Sequence, residues 1–202
     1  MSTESILKPV LEIKGDEAAQ RLLDVLDGPV IEIPRPSTDT VRGLDGGAEY
    51  IEHALVANNF VITVGNQLAT EQRRVFERVP YRLPENNHQD IVPDVSIVTD
   101  VKKRTAIAFK STPCFVMEII GSDWERTICR KRMEVYRRAK VPECWVVDWK
   151  EKRIEIYSFA EADSEEIEKY LKKTVTEKNK EELKISSLQN LQITFEELFQ
   201  GI

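Results

Sequence analysis

Long hydrophobic runs are missing from this sequence. No stretch approaches the ~20 apolar residues that a membrane-spanning helix needs, so we expect no association with a membrane. The first residues also lack a basic region followed by an apolar run, which predicts that there is no signal peptide. We therefore expect a cytoplasmic protein.

Cysteine and histidine are scarce. The three cysteines, Cys114, Cys129 and Cys144, lack CxxC spacing and fall in apolar segments, which favours buried thiols over disulfides or zinc ligands. His88 lies in a polar turn and has no partner at metal-ligand spacing, and we interpret His53 as a surface or helix-cap residue. The sequence therefore gives no support for a zinc or disulfide scaffold.

Positive charge is not in excess either. The net charge is −6, from 29 basic and 35 acidic residues, so the molecule as a whole does not attract nucleic acid. Any such binding must come from a local patch. With 41% hydrophobic and 32% charged residues, the 202-residue chain has the composition of a soluble globular protein.

The simplest division is a single α/β domain. We expect an N-terminal extension of helix and strand over about 1–60, a core over about 60–160, and a C-terminal strand and helix over about 165–202. The finer predictions are helices at 15–27 and 48–59, strands at 29–33, 60–65 and 74–83, and a strand with a short helix at 191–199. Residues 161–184 mix acids and bases, which is typical of a solvated surface region or a flexible hairpin.

Two apolar strands carry acidic residues. VPDVSIV (92–98) holds Asp94, and CFVMEII (114–120) is apolar on both faces except for Glu118. A buried carboxylate has to be protonated, paired or bound to a metal. For a lone acid in a strand, a structural ion pair is the simplest interpretation.

A basic helix should follow the second strand. Ser122 and Glu125 have the spacing of a capping box, and the helix should end near Ala139, before the hairpin formed by ECWVVD and RIEIYSF. In helical projection, Arg132 falls within the buried arc that includes Met133 and Tyr136. We therefore predict an inward-facing guanidinium, paired with Asp94 or Glu118.

Together these segments resemble the Uma-two family, whose members are described mostly as restriction-endonuclease-like nucleases with the PD-(D/E)XK fold. The resemblance rests on VPDVSIV (92–98), FVMEIIGSD (115–123) and YRRAKVPECWVVD (136–148), and it extends over roughly residues 75–200. It implies a restriction-endonuclease-like core, with a mixed central sheet flanked by helices. VPECWVVD is its most specific piece, and we interpret that piece as structural.

The resemblance also implies metal-dependent hydrolysis of phosphodiester bonds, with Asp94 and Glu118 holding Mg²⁺ or Mn²⁺. The lysine usual for this fold would stand at the position of Ile120. The Uma-two pattern instead takes a lysine from the helix, four residues before the tyrosine, and that position is Arg132. Three alternatives remain open. Lys131 takes over the role of that lysine, Arg132 serves in an arginine-based variant of the site, or the site is inactive. The resemblance also draws attention to Glu52 on the first helix, which either points inward or makes a local pair.

The expected partner is DNA, with a homodimer as a second expectation. The segment 125–140 is the most positive part of the chain, and its residues Arg126, Arg130 and Lys131 are candidates for contacting a nucleic-acid backbone. A solvated helix face is the alternative. The two functional hypotheses are therefore a metal-dependent DNA nuclease and an inactive binding module in which an Arg132 salt bridge replaces the metal.

Overall fold

The computed structural model describes residues 47–68, 73–86, 90–161, 163–164, 166–180, 183–188 and 191–202, with side chains described from residue 51 onward. The helix predicted at 15–27, the strand at 29–33 and the turn residue His88 lie outside this part. All described residues belong to one compact unit, Gly46–Ile202.

A six-stranded mixed sheet forms the centre of this unit. The helices are α1 (Gly47–Gln67), α2 (Asp123–Arg138) and α3 (Phe195–Leu198). The strands are β1 (Arg74–Glu77), β2 (Tyr81–Arg82), β3 (Asp90–Ile91), β4 (Val95–Val98), β5 (Phe115–Ile120), β6 (Glu143–Asp148), β7 (Arg153–Tyr157), β8 (Leu171–Thr176), β9 (Leu183–Lys184) and β10 (Gln192–Ile193). Short 3₁₀ turns cover Pro84–Asn86 and Ile167–Tyr170. The sheet order is β1-β4-β5-β6-β7-β8, and β5 with β6 is its one parallel pair. The predicted α/β class with a mixed central sheet is confirmed.

Both faces of the sheet are covered, which is why every residue of β5 and β6 is buried. On one face, Phe60 of α1 stacks on Phe115 with ring centroids 5.1 Å apart and meets Trp145 edge-on at 5.9 Å. On the opposite face, Met133 and Tyr136 of α2 belong to a second buried cluster. Glu118 lies within β5, directly beneath this second layer.

The strand predicted at 60–65 is wrong, because α1 continues through it to Gln67. The local run of β-branched residues favours a strand. The buried residues Val56, Phe60 and Val64, however, recur every four positions and so occupy one face of a helix packed on the sheet. Burial of that face outweighs the local preference.

The helix α2 begins as its capping box predicts. The Ser122 hydroxyl accepts a hydrogen bond from Glu125 N, and the Glu125 carboxylate accepts one from Gly121 N at 2.7 Å. The turn needs a glycine, because a Cβ at Gly121 would overlap the indole ring of Trp149. The helix ends at Arg138 with Ala139 as its C-cap, and the predicted hairpin of β6 and β7 is confirmed.

The charged C-terminal region supplies a strand to the central sheet. Residues 171–176 form β8, an edge strand paired with β7. Most of its side chains are exposed or half-buried, as predicted for a solvated surface, but the prediction of a solvated surface or a flexible hairpin did not include a strand of the central sheet. The charged lysines of this strand are typical of a protected sheet edge. Strand β10 and helix α3 confirm the prediction at 191–199. Among the described helices, none is both long enough and apolar enough to cross a bilayer.

Candidate active site

Strand register brings Asp94 and Glu118 together. In the antiparallel pair of β4 and β5, Val95 lies opposite Met117, so the next pair in register is Asp94 with Glu118. Residues directly opposite in such a pair have Cβ atoms about 4.5–5.5 Å apart. The ladder itself stops before this pair, and Asp94 Oδ2 accepts the Ile119 N–H at 2.8 Å instead. The two carboxylates are therefore neighbours at one end of the sheet.

Glu118 is fully enclosed and has a partner on each oxygen. Arg132 Nη1 lies 2.6 Å from Oε2, and the Tyr136 hydroxyl donates to Oε1 at 2.5 Å. Burial and the nearby Asp94 raise the pKa of Glu118 to about 7, although Arg132 and the hydroxyl of Tyr136 act to lower it. The carboxyl group is therefore poised to gain or lose a proton near neutral pH.

Asp94 contacts the first helix as well. His53 Nε2 lies 3.3 Å from Asp94 Oδ1, and the side chain of His53 is only 18% exposed. Burial lowers the pKa of His53, but the hydrogen bond to Asp94 and its charge outweigh this, so the pKa is raised. The interpretation of His53 as a surface or cap residue is wrong, because the fold of α1 against the sheet carries it to Asp94.

These side chains open on a cavity of about 220 Å³. The residues that line it are His53, Arg78, Asp94, Glu118, Ile119, Ile120, Trp124, Glu125, Ile128, Cys129 and Arg132. Arg78 and Trp124 are site residues that the sequence patterns do not single out. A tryptophan next to a helix cap is expected to pack, yet 73% of Trp124 is exposed.

Arg78 lies in a bend of unusual backbone conformation. Its φ angle is +50°, a left-handed conformation that is uncommon for a residue with a side chain. Its N–H donates to the carbonyl oxygen of Asp94 at 3.0 Å. The bend therefore ties the end of β1 to the strand that carries Asp94.

Glu52 is partly buried on α1. Its Oε2 atom is enclosed and has no hydrogen-bond partner among the described residues. Glu52 is not among the residues that line the 220 Å³ cavity. A role for it in the site stays a prediction.

The other predicted cations lie elsewhere. Lys131, Arg130 and Arg126 line a separate groove of about 700 Å³ between α2 and the residues around β7 and β8. Arg126 is also held by Asp148, with Nη2 and Oδ2 2.5 Å apart. Of the candidate cations on α2, Arg132 is therefore the one that lines the carboxylate cavity.

The donor set of the cavity meets part of what a divalent ion needs. The described residues contain no group of three or more histidine, cysteine or acidic side chains arranged to hold a metal. Asp94 and Glu118 nevertheless offer the hard carboxylate oxygens that Mg²⁺ prefers, on one cavity. In this structure Arg132 Nη1 lies 2.6 Å from Glu118 Oε2, so it occupies one of the oxygens that such an ion would use.

Residues 46–196 match a protein family, Uma2, which is described as "Putative restriction endonuclease". The match covers about three quarters of the chain. The chain belongs to the Uma2 family. The resemblance stated from the sequence is thereby confirmed. No protein with a curated description matches the chain.

A solved structure has the same fold. It is a protein from Anabaena variabilis described as "a putative nuclease belonging to DUF820", with a TM-score of 0.56 and 16% sequence identity. The similarity covers 73% of this chain and 80% of that one. The expected nuclease fold is thereby confirmed for this Uma2 protein.

Proposed function

We propose that this Uma2 protein is a metal-dependent nuclease that hydrolyses phosphodiester bonds in DNA. The observation that carries the proposal is the placement of Asp94 and Glu118 on one cavity, beside the Arg132 guanidinium. Membership of a restriction-endonuclease-like family supports the same reaction class.

Asp94 and Glu118 would hold the divalent ion, Mg²⁺ or Mn²⁺. When bound, the ion would supply a water of lowered pKa and stabilise negative charge on the phosphate. Asp94 is prepared for this role because its Oδ2 is fixed by the Ile119 N–H, while Oδ1 faces His53. Glu118 has to be ionised to bind a cation, and its pKa of about 7 allows this at neutral pH.

Arg132 would change partner when substrate binds. It neutralises Glu118 in the free protein, and its exposed part gives it room to turn toward a phosphate oxygen. A guanidinium stays charged and binds phosphate well, but it is a poor group for proton transfer. Arg132 would therefore bind and stabilise the phosphate without acting as the general base.

The second candidate is an inactive binding module. It is favoured by the 2.6 Å ion pair between Arg132 and Glu118, which occupies a carboxylate oxygen that the metal would use. Ile120, at the position where this fold usually has a lysine, favours it too. In this alternative the salt bridge replaces the metal permanently.

A cleavage assay on plasmid and single-stranded DNA separates the two candidates. A nuclease should cut only with Mg²⁺ or Mn²⁺ and should stop in EDTA. Asp94→Asn and Glu118→Gln keep the shape of the site and should each abolish cleavage. Glu77→Ala, which removes an exposed acid of β1, is the matched control and should retain the wild-type rate. A wild type that is inactive on both substrates, with no affinity for Mn²⁺, would favour the binding module.

A further inference from the structure

Trp124 is the most exposed large apolar residue in the described part of the chain, at 73%. It lies in the first turn of α2 and lines the same cavity as Asp94 and Glu118. Its ring makes no aromatic stacking or cation–π contact with any described residue. A tryptophan contributes to stability when it is buried, so packing within the described part does not explain this one.

Its backbone is nevertheless held in place. The Ser122 cap and the Glu125 carboxylate fix the two sides of the turn that carries Trp124. The Glu125 carboxylate accepts hydrogen bonds from Gly121 N and from the Ser122 hydroxyl, and these bonds engage its negative charge. An exposed indole on a fixed turn, next to a cavity that Arg78 and Arg132 help to line, has the properties of a stacking platform.

We infer that Trp124 stacks on an unpaired nucleobase beside the scissile phosphate, so that single-stranded DNA is the preferred form of the substrate. In a duplex, each base face is covered by its neighbours, and an indole can reach one only after the base is unstacked. Stacking on an exposed aromatic ring is tolerant of sequence, because every base has a π face. The inference rests on the nuclease function proposed above and narrows its substrate.

Arg78 supplies the complementary contact. It lines the cavity with Trp124, its side chain is exposed, and it forms no ion pair with a described residue. A free guanidinium can bind a phosphate oxygen pair through two hydrogen bonds. A nucleotide could therefore place its base on Trp124 while an adjacent phosphate meets Arg78.

Binding measurements without cleavage test this inference. Fluorescence anisotropy would compare a short labelled single strand with the matching blunt duplex, in EDTA and at one fixed salt concentration, because salt alters all such affinities. The proteins would be wild type, Trp124→Ala, Trp124→Phe and Ile107→Ala. Ile107 is a matched control, since it is 67% exposed and lines a different groove.

Trp124→Ala should bind the single strand about tenfold or more weakly, whereas Trp124→Phe, which keeps a ring, should lose less than about threefold. Ile107→Ala should bind like wild type. Single-stranded DNA should also quench the intrinsic fluorescence of wild type but not of Trp124→Phe, because Trp145 and Trp149 are buried. Equal single-strand affinity of wild type and Trp124→Ala, or no binding by wild type, would overturn the inference.

The outcomes also distinguish this inference from the proposed function. Binding that depends on Trp124, without cleavage in Mg²⁺ or Mn²⁺, would support stacking and overturn the nuclease. Cleavage of duplex DNA, with Trp124→Ala binding single strands as well as wild type does, would overturn stacking and support the nuclease.

Discussion

The Arg132 guanidinium lies 2.6 Å from Glu118 Oε2, although the two residues are 14 positions apart on a helix and a strand. The carboxylate is nearly inaccessible, while a third of the arginine side chain reaches solvent. The same contact neutralises a buried acid and covers the oxygen that a metal ion would use. Arg132 therefore affects both the stability of the free protein and its capacity to bind metal.

Arg132→Met should destabilise the metal-free protein by about 1–3 kcal/mol at pH 7. The loss should fall below the ~3–5 kcal/mol typical of breaking a buried ion pair, because Glu118, with a pKa of about 7, can take up a proton instead. Urea unfolding in EDTA measures the change. Arg138→Met, on the exposed side of α2, is the control and should stay within about 0.5 kcal/mol of wild type. Equal losses for both variants would contradict the prediction.

Stability should fall as pH rises through neutrality. The pKa of Glu118 is raised from 4.5 to about 7, so the folded state holds a proton there that the unfolded chain has released. The stabilisation from this group is full below pH 4.5 and is lost as pH rises through 7. It should amount to at most about 3 kcal/mol.

Glu118→Gln isolates this contribution. Unfolding free energies measured in EDTA between pH 5 and 8 should fall more steeply for wild type than for the variant. The pKa of His53 is also raised, so stability falls further as His53 loses its proton with rising pH. Glu118→Gln retains His53, so this second contribution is present in both proteins. Parallel curves would show that Glu118 is already ionised at acidic pH.

Gly121→Ala should destabilise the protein by about 1–3 kcal/mol, because the new methyl group would overlap the buried indole of Trp149. Gly65→Ala adds the same group within α1, 3.2 Å from Val75 Cγ1. Its gain in helix propensity, about 1 kcal/mol, should offset that tight contact. Thermal unfolding of the two variants makes the comparison. A Gly121→Ala protein as stable as Gly65→Ala would show that Trp149 can move at no cost.

Arg132→Lys introduces the lysine that the family pattern has at this position, and so tests its effect on cleavage. Lysine keeps the charge but releases Glu118 more easily than a guanidinium does, so we predict a faster metal-dependent cleavage rate. Arg132→Met should reduce the rate more than Lys131→Ala does, because Lys131 lines the other groove. A larger loss for Lys131→Ala would show that the neighbouring lysine supplies the catalytic cation.

The site could be predicted from the sequence as far as its local patterns reach. The acid stands out because its strand is otherwise apolar, the inward Arg132 follows from helical periodicity, and the capping box sets the start of α2. Helical projection could not choose between Asp94 and Glu118 as the partner of Arg132, because that choice depends on the distance between strand and helix. The structure selects Glu118.

Other features depend on tertiary packing and leave little local signal. His53 and Arg78 reach the cavity only because α1 and β1 are packed beside Asp94. The extension of α1 contradicts its β-branched composition, and it is stabilised by burial of Phe60. The signal in the sequence for Trp124 is its position, because a large apolar residue beside a helix cap is not required by the cap itself.

Crystals soaked in Mn²⁺ and measured for anomalous scattering would decide whether Asp94 and Glu118 share a metal ion. We predict a single strong peak within about 2.5 Å of a carboxylate oxygen of both residues. The Arg132 guanidinium should then have moved away from Glu118 Oε2. An ion pair unchanged at 2.6 Å, with no anomalous peak between the two carboxylates, would contradict a metal-dependent nuclease and leave the inactive binding module.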